Sequence, residues 1–335
     1  MKIEDALHDW LLNEYKLVAI SRQDLLVNFL RMWIDKKYKN ESIENITDRK
    51  NPFRTFERWC KTNERKKIIT GDKWSTKGYR YYLISNRNKE IDRVVCAIYP
   101  FGYLAYLSAI QHYKLVSYRT SSTYFVCPNR SEWKSLCLKR LKTILPEWNE
   151  KNKGMPFFYA ELHDLIPTYP VEEQILNSQV ILLNQKKNAN FETWKDIRVE
   201  YIIDLYVDML RNPQFCGGLE EVIKIYNQTV DRYLEAIIAL LNSSYGTQID
   251  RARFGFICEK YLHIKHPAFE KWKEEQKDKR GGSRKLVAYL EFDPIFDEDW
   301  NISINHEFAK NIPPNRTINI KIDLPAISVT GMKIL

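Results

Sequence analysis

Apolar residues recur at helical spacing near the start of the chain. Ile3, Leu7, Trp10, Leu11 and Leu12 form one face over residues 3–15, and Leu25, Leu26, Phe29, Leu30 and Trp33 form another after Ser21. Ser21 is placed to cap that second helix, with Asp24 three residues on as an acidic variant of the capping box. Asn51-Pro52 reads as a third helix start, a side-chain oxygen at the cap followed by proline at the first helical position. Over Phe53–Arg65 the aromatic residues Phe53, Phe56 and Trp59, with Cys60, fall on one side of the predicted helix. Next, Ile68-Ile69-Thr70 and Tyr79–Ile84 are β-prone and flank a turn at Gly71-Asp72-Lys73, which predicts a hairpin. Helix, helix, helix, hairpin is the order of a winged helix-turn-helix, whose third helix enters the major groove.

Beyond residue 84 the pattern changes to mixed α and β. Residues 85–92 are polar and predict a linker. Short apolar runs at Val94–Tyr99 and Ser121–Val126 predict strands, and Tyr103–His112 and Ser131–Leu141 predict helices. Residues 149–196 predict strands and loops. Helical faces follow at Val199–Leu210, Leu219–Tyr226, Asp231–Asn242 and Asp250–Leu262. Lys271–Lys285 predicts a charged flexible loop, Leu286–Phe292 and Trp300–Asn305 predict strands, and 306–335 predicts extended chain. The fold class is therefore α+β. The predicted division is a winged-helix domain at 1–84, a linker at 85–92, and a larger mixed α/β C-terminal region at 93–335, with a mixed part at 93–196, a helical part at 197–265 and closing strands at 286–335.

Charge sharpens the reading of the third helix. The chain carries a net charge of +9, and the stretch Arg49–Arg80 alone holds 11 Lys/Arg against 3 Asp/Glu. Residues 1–48 sum to −2 and residues 81–335 to +3. At 100° per residue, Arg54, Arg58, Lys61 and Arg65 fall within about 60° of one another, opposite the aromatic side. Thr55 and Thr62 lie beside this stripe, Lys66 and Lys67 close the helix, and Lys73, Lys77 and Arg80 decorate the hairpin. A segregated basic stripe on a helix followed by a basic hairpin is the electrostatic footprint of a phosphate-binding element. Arg54, Thr55, Arg58, Lys61, Thr62, Arg65, Lys66 and Lys67 are the predicted DNA contacts on the helix, and Lys73, Lys77 and Arg80 those on the wing.

Composition sets the outer bounds. A chain of 335 residues with 44% hydrophobic and 28% charged residues is globular and long enough for two or three domains. Its longest apolar runs are far shorter than the ~20 residues of a membrane span. It opens on a charged amphipathic helix, which predicts no signal peptide and no membrane partner. The six cysteines show no metal or redox spacing and predict reduced, buried thiols in a cytoplasmic protein.

Several blocks, taken in order, resemble the AbiEi-type (abortive infection) antitoxins of bacterial type IV toxin–antitoxin systems. The first is the winged-helix order of residues 1–84. The second is Tyr103–Leu115, followed by Thr123-Tyr124-Phe125-Val126. The third is Val199–Val222, with Asp204, Asp208, Arg211, Pro213, Gly217 and Gly218. The fourth joins Arg253-Phe254-Gly255-Phe256 to Phe292-Asp293-Pro294 and Trp300–Asn305. Tyr103 and Leu104 depart from the Ser-His pair usual in such antitoxins, and Lys114 stands where glycine is common. The resemblance implies an N-terminal domain that binds promoter inverted repeats and represses its own operon. It also implies a C-terminal region that counteracts a co-encoded toxin of nucleotidyltransferase fold without need of a stable complex, and it implies neither catalysis nor a cofactor.

Other constellations carry rival chemistry. Asp204 and Asp208 share one helix face and can approach a cation, or pair with Arg211. Glu259, His263 and His266 have partial metal-ligand spacing, but Pro267 ends the helix there. Asp293, Asp297, Glu298 and Asp299 form an acidic cluster, and Gly217-Gly218 a turn that lacks the lysine of a phosphate loop. The alternatives are a metal-dependent nucleic-acid-processing enzyme using Asp204/Asp208 or Asp293/Asp297, and a stand-alone regulator with no toxin.

Overall fold

The computed structural model describes residues 1–47, 51–75, 78–149, 160–171, 173–184, 190–277 and 284–310. It is an α+β protein that divides into two compact units, one of residues 1–104, 121–186 and 192–199, the other of 105–120, 187–191 and 200–335.

The first unit opens on α1 (Ile3–Asp9), which a π-helical turn at Trp10–Glu14 prolongs. A short strand, β1 (Ala19–Ser21), comes before α2 (Arg22–Asp35), and the Ser21 side chain accepts from the Asp24 N–H at 3.0 Å. The segment after α2 holds a small hairpin of β2 (Lys37–Tyr38) and β3 (Glu41–Ser42). Then come α3 (Pro52–Arg65), β4 (Ile69–Ser75) and β5 (Gly78–Ile84). β5 lies between β1 and β4 in a three-stranded antiparallel sheet, with Ala19 opposite Leu83 and Ile69 opposite Ile84. Ile3, Leu7, Leu11, Leu25, Leu26, Phe29, Leu30, Trp33, Phe56, Trp59, Ile69, Tyr82 and Ile84 share one core beneath these elements.

The same unit continues past residue 84. Arg87 donates to the carbonyls of Leu11 at 2.8 Å and Leu12 at 3.2 Å, and also to that of Leu17, satisfying chain that a helix end leaves open. Val94–Tyr99 is not the expected strand: Val94–Ile98 belong to helix α4 (Ile91–Ile98), and Tyr99 is its C-cap. A short apolar run does not distinguish the two by periodicity. Tertiary partners decide: Arg198 donates to the carbonyls of Cys96, Tyr99 and Gly102 at 2.6–2.7 Å and closes the helix end. After β6 (Tyr103–Leu104), the helix α5 (Tyr106–His112) belongs to the second unit. β7 (Ser122–Cys127), α6 (Arg130–Ile144), α7 (Leu162–Leu165), β8 (Glu173–Ile175), β9 (Ser178–Asn184), β10 (Phe191–Trp194) and β11 (Ile197–Glu200) follow. A six-stranded mixed sheet runs in the order β10-β11-β6-β7-β9-β8. Leu141 and Leu145 join the core around α2, and Arg140 pairs with the buried Asp24 at 3.1 Å.

In the second unit α5 is joined by α8 (Ile202–Arg211), α9 (Leu219–Thr229), α10 (Leu234–Asn242), α11 (Gln248–Phe256) and α12 (Pro267–Gln276). The first residues of the expected Val199–Leu210 helix are strand β11, and α8 begins only at Ile202. The expected charged loop is helical up to Gln276: Pro267 occupies the first turn, the His266 ring accepts from the Ala268 N–H at 3.1 Å, and Phe269 and Trp272 are buried. Dense charge there hides a two-residue apolar stripe. Residues 278–283, including Gly281-Gly282, lie outside the described residues, as do 311–335.

Leu286–Phe292 does not form the expected strand, because side chains take its backbone groups. The Asn305 amide binds Val287 twice, at 2.9 Å, and donates to Glu291 O, while Arg253 donates to Lys285 O at 3.0 Å. Strand pairing among the described residues here is that of β12 (Phe296–Asp297) with β13 (Ile302–Ser303), plus a single bridge from Lys285 to Ser303, before the turn α13 (Glu307–Lys310). Trp300 is fully buried against Gly255, where an added Cβ would stand 1.9 Å from the indole ring. This contact joins the two halves of the fourth sequence block. Gly217 and Gly218 both adopt positive φ, 87° and 94°, in the turn before α9.

The centre of the second unit is charged as well as aromatic. Arg211 is bidentate to Asp250 at 2.7 and 3.0 Å, reaches Asp208 at 3.2 Å, and donates to Tyr245 O at 2.9 Å. Burial raises the Asp250 carboxyl, but the Arg211 and Thr247 hydrogen bonds outweigh it and hold the pKa below the usual range. Asp204 is different. Burial pushes its carboxyl up to about 6 against the two hydrogen bonds it accepts from Asn190.

Two outcomes follow. Arg211→Met should lower unfolding stability by about 3–5 kcal/mol in urea, because it strands the buried Asp208 and Asp250. For Asp204 the folded group holds its proton more tightly than the unfolded one, so parent stability should fall as pH rises from about 4 to about 6. Asp204→Asn should remove that slope and gain up to ~3 kcal/mol at pH 7.5. Identical slopes for parent and variant would exclude this protonation.

Candidate nucleic-acid interface

α3 is built from its start. Asn51 Oδ1 accepts from Arg54 N at 3.1 Å, and Pro52 sets the first helical φ. Its apolar side is held in the core: the Phe56 ring lies 5.6 Å from Phe29, and the Trp59 indole donates to Glu4 O at 3.0 Å. Cys60 is buried beside them, and Asn63 donates to Trp59 O at 2.9 Å. Rotation of the helix is therefore fixed, and so is what it shows to solvent.

Arg54, Arg58, Lys61, Thr62, Arg65, Lys66 and Lys67 are all exposed. The Arg58 side chain keeps 70% of its area accessible, although Glu4 stands 3.6 Å from it. Arg54, Arg58, Lys61, Thr62 and Arg65 border an open trough of about 520 Å³ with Asn51, Phe53 and Glu57. Four cations converging on one trough attract a polyanion, and among the described residues no partner neutralises them as a group.

Three sequence expectations change. Thr55 is only 7% exposed and donates to Asn51 O at 3.1 Å, so it locks the first turn and does not face the trough. Phe53, expected in the core, is half-buried at the trough rim. Arg80 is 8% exposed, enclosed with Ser21, Gln23, Tyr99 and Thr168, and is no surface contact of the hairpin. Burial lifts the neighbouring Tyr99 hydroxyl to about 12, with Arg80 pulling the other way. Lys73 stands on β4 opposite Tyr79, and Lys77 lies outside the described residues.

One participant escaped the sequence reading. Glu57 lines the same trough and forms an ion pair with Arg22, whose guanidinium also sits 5.6 Å over the Phe56 ring. The available signal was helical phase, since Glu57 is three residues after Arg54 and four before Lys61.

The other constellations are occupied by packing. Glu259 accepts from the Trp300 indole at 2.8 Å and from Lys273 at 2.9 Å, while His266 caps α12 and meets Glu235 at 3.1 Å. Asp293 pairs with Lys310, and Lys260 joins Asp297 and Asp299 at 3.4 and 2.7 Å. Asp208 pairs with Arg211 as the sequence allowed, but inside the unit and not on a helix surface. All six cysteines are free and buried, and no described helix is long and apolar enough to cross a membrane.

Asn51→Ala should destabilise the chain by about 1 kcal/mol by removing the α3 cap, measured as a shift in urea midpoint without loss of helical signal at low urea. No protein-family model matches this chain, and no curated protein sequence matches it.

Proposed function

We propose that residues 1–84 form a winged helix that binds duplex DNA, with α3 in the major groove and the β4–β5 hairpin along the backbone. The observation that carries this reading is the exposed cationic face of α3, fixed outward by the burial of Phe56, Trp59 and Cys60. The three helices and the β1-β5-β4 sheet support it, because such a sheet delivers a hairpin directly after the third helix. The contacts are Arg54, Arg58, Lys61, Thr62, Arg65, Lys66 and Lys67.

On this reading the protein is an autorepressor of its own promoter and an antitoxin to a co-encoded nucleotidyltransferase-type toxin. The antitoxin half rests on the resemblance of the ordered blocks to AbiEi-type antitoxins. Against a metal-dependent nuclease stands the engagement of the acids it would need: Asp208 with Arg211, Asp204 with Asn190, Asp293 with Lys310, and Asp297 with Lys260.

Replacing both Arg54 and Arg58 with Ala should weaken the shift of a promoter fragment and reduce the slope of log K against log salt by about 0.9 for each phosphate that the variant no longer neutralises. A double variant that shifts the fragment as the parent does, at every salt concentration, would exclude α3 as the binding helix. Co-expression with the neighbouring reading frame tests the antitoxin half, which predicts growth arrest by that frame alone and relief by the full chain.

A further inference from the structure

Resting on the DNA-binding reading, we infer that Glu57 is a base-reading residue of α3, taking the exocyclic amine of a cytosine in the major groove. The trough on α3 offers almost only donors: Arg54, Arg58, Lys61 and Arg65 carry no acceptor. Glu57 is the one carboxylate among the described residues that border it. On a surface that served phosphates alone, such a charge would only oppose binding.

Its placement is built. Arg22 projects from the first turn of α2, stacks over the Phe56 ring at 5.6 Å, and binds one Glu57 oxygen, Oε1. Burial lowers the Arg22 pKa, but the Glu57 carboxylate outweighs it and keeps the guanidinium charged. The Glu57 side chain is 44% exposed against 22% for Arg22, so the arginine lies behind and the carboxylate in front. Oε2 takes no other hydrogen bond among the described residues. A half-exposed acceptor is thus held in one orientation by a more buried cation, as a preorganised contact requires.

The chemistry selects the base. A carboxylate only accepts, and it suits cytosine, whose major-groove edge presents an N4 amine donor. Adenine pairs its N6 donor with the N7 acceptor, which repels a carboxylate. The guanine opposite that cytosine presents O6 and N7, acceptors that suit Arg54 or Lys61, one turn either side of Glu57 on the same helix face.

The test uses the full chain and a randomised duplex library, with binding to the selected site and to its single-base variants measured for parent, Glu57→Ala and Glu57→Gln. Circular dichroism of each variant checks that the fold is retained. The parent should select a C·G pair at one position. Glu57→Ala should flatten the preference there by roughly 5- to 100-fold while leaving the other positions unchanged. Glu57→Gln, which adds a donor to an acceptor, should move the preference toward adenine. Uniformly tighter binding of every duplex by Glu57→Ala, with the preference intact, would overturn the assignment and leave the DNA reading standing. A parent preference for adenine at that position would overturn the choice of base. A parent that binds no duplex would overturn both readings.

Discussion

Burial of one side of α3 is the constraint on which the candidate interface depends. Phe56 packs on Phe29, Trp59 is anchored to Glu4 O, and Cys60 and Asn63 complete a wall that leaves the helix one rotation. Large aromatic side chains bury more area than any competing residue of the helix, so the opposite orientation would expose them and bury four cations. The basic face is therefore a by-product of core packing as much as a feature in its own right. Arg22 joins the two, since its ring contact belongs to the core and its ion pair to the trough.

The second unit obeys a different constraint, the neutralisation of buried carboxylates. Asp208 and Asp250 are tolerable inside because one guanidinium spans them. Asp204 has no such partner among the described residues, which is why its carboxyl is the one pushed upward. Around this centre the aromatic residues Tyr206, Tyr226, Phe254, Phe269 and Trp300 follow one another at ring separations of 5.2–6.1 Å. Many of the residues that carry the resemblance in this region, Arg211, Gly255 and Trp300 among them, are explained by packing. Their pattern in the sequence is the imprint of an interior.

Much of the first unit was legible in the chain. Ser21 and Asn51 cap helices where a short polar side chain precedes an amphipathic run, and both do so through the oxygen their type supplies. The hairpin after α3 was legible from its β-prone runs, but the turn expected at Gly71-Asp72-Lys73 lies inside β4, where Gly71 pairs with Tyr82 and Lys73 with Tyr79. The strand β1 was not legible, because three residues carry no readable period and gain strand geometry only from pairing with β5. Residues 94–98 and 271–276 were misread for related reasons: an all-apolar run has no phase, and a charge-rich run hides a narrow apolar stripe. Within the site, the cationic stripe was legible by phase, whereas the burial of Thr55 and Arg80 was not.

By itself the sequence determined which side of α3 carries charge, where its helix begins, and how little net charge the remaining chain contributes, because each depends only on residue type and helical period. Tertiary structure decided the rest. Arg80 left the predicted contact set once Ser21, Gln23, Tyr99 and Thr168 enclosed it, and Asp208 turned inward onto Arg211. Glu57 entered the trough pinned by an arginine distant in sequence. Pairings of this kind set the environment of a charged group, and they join residues that no local period connects.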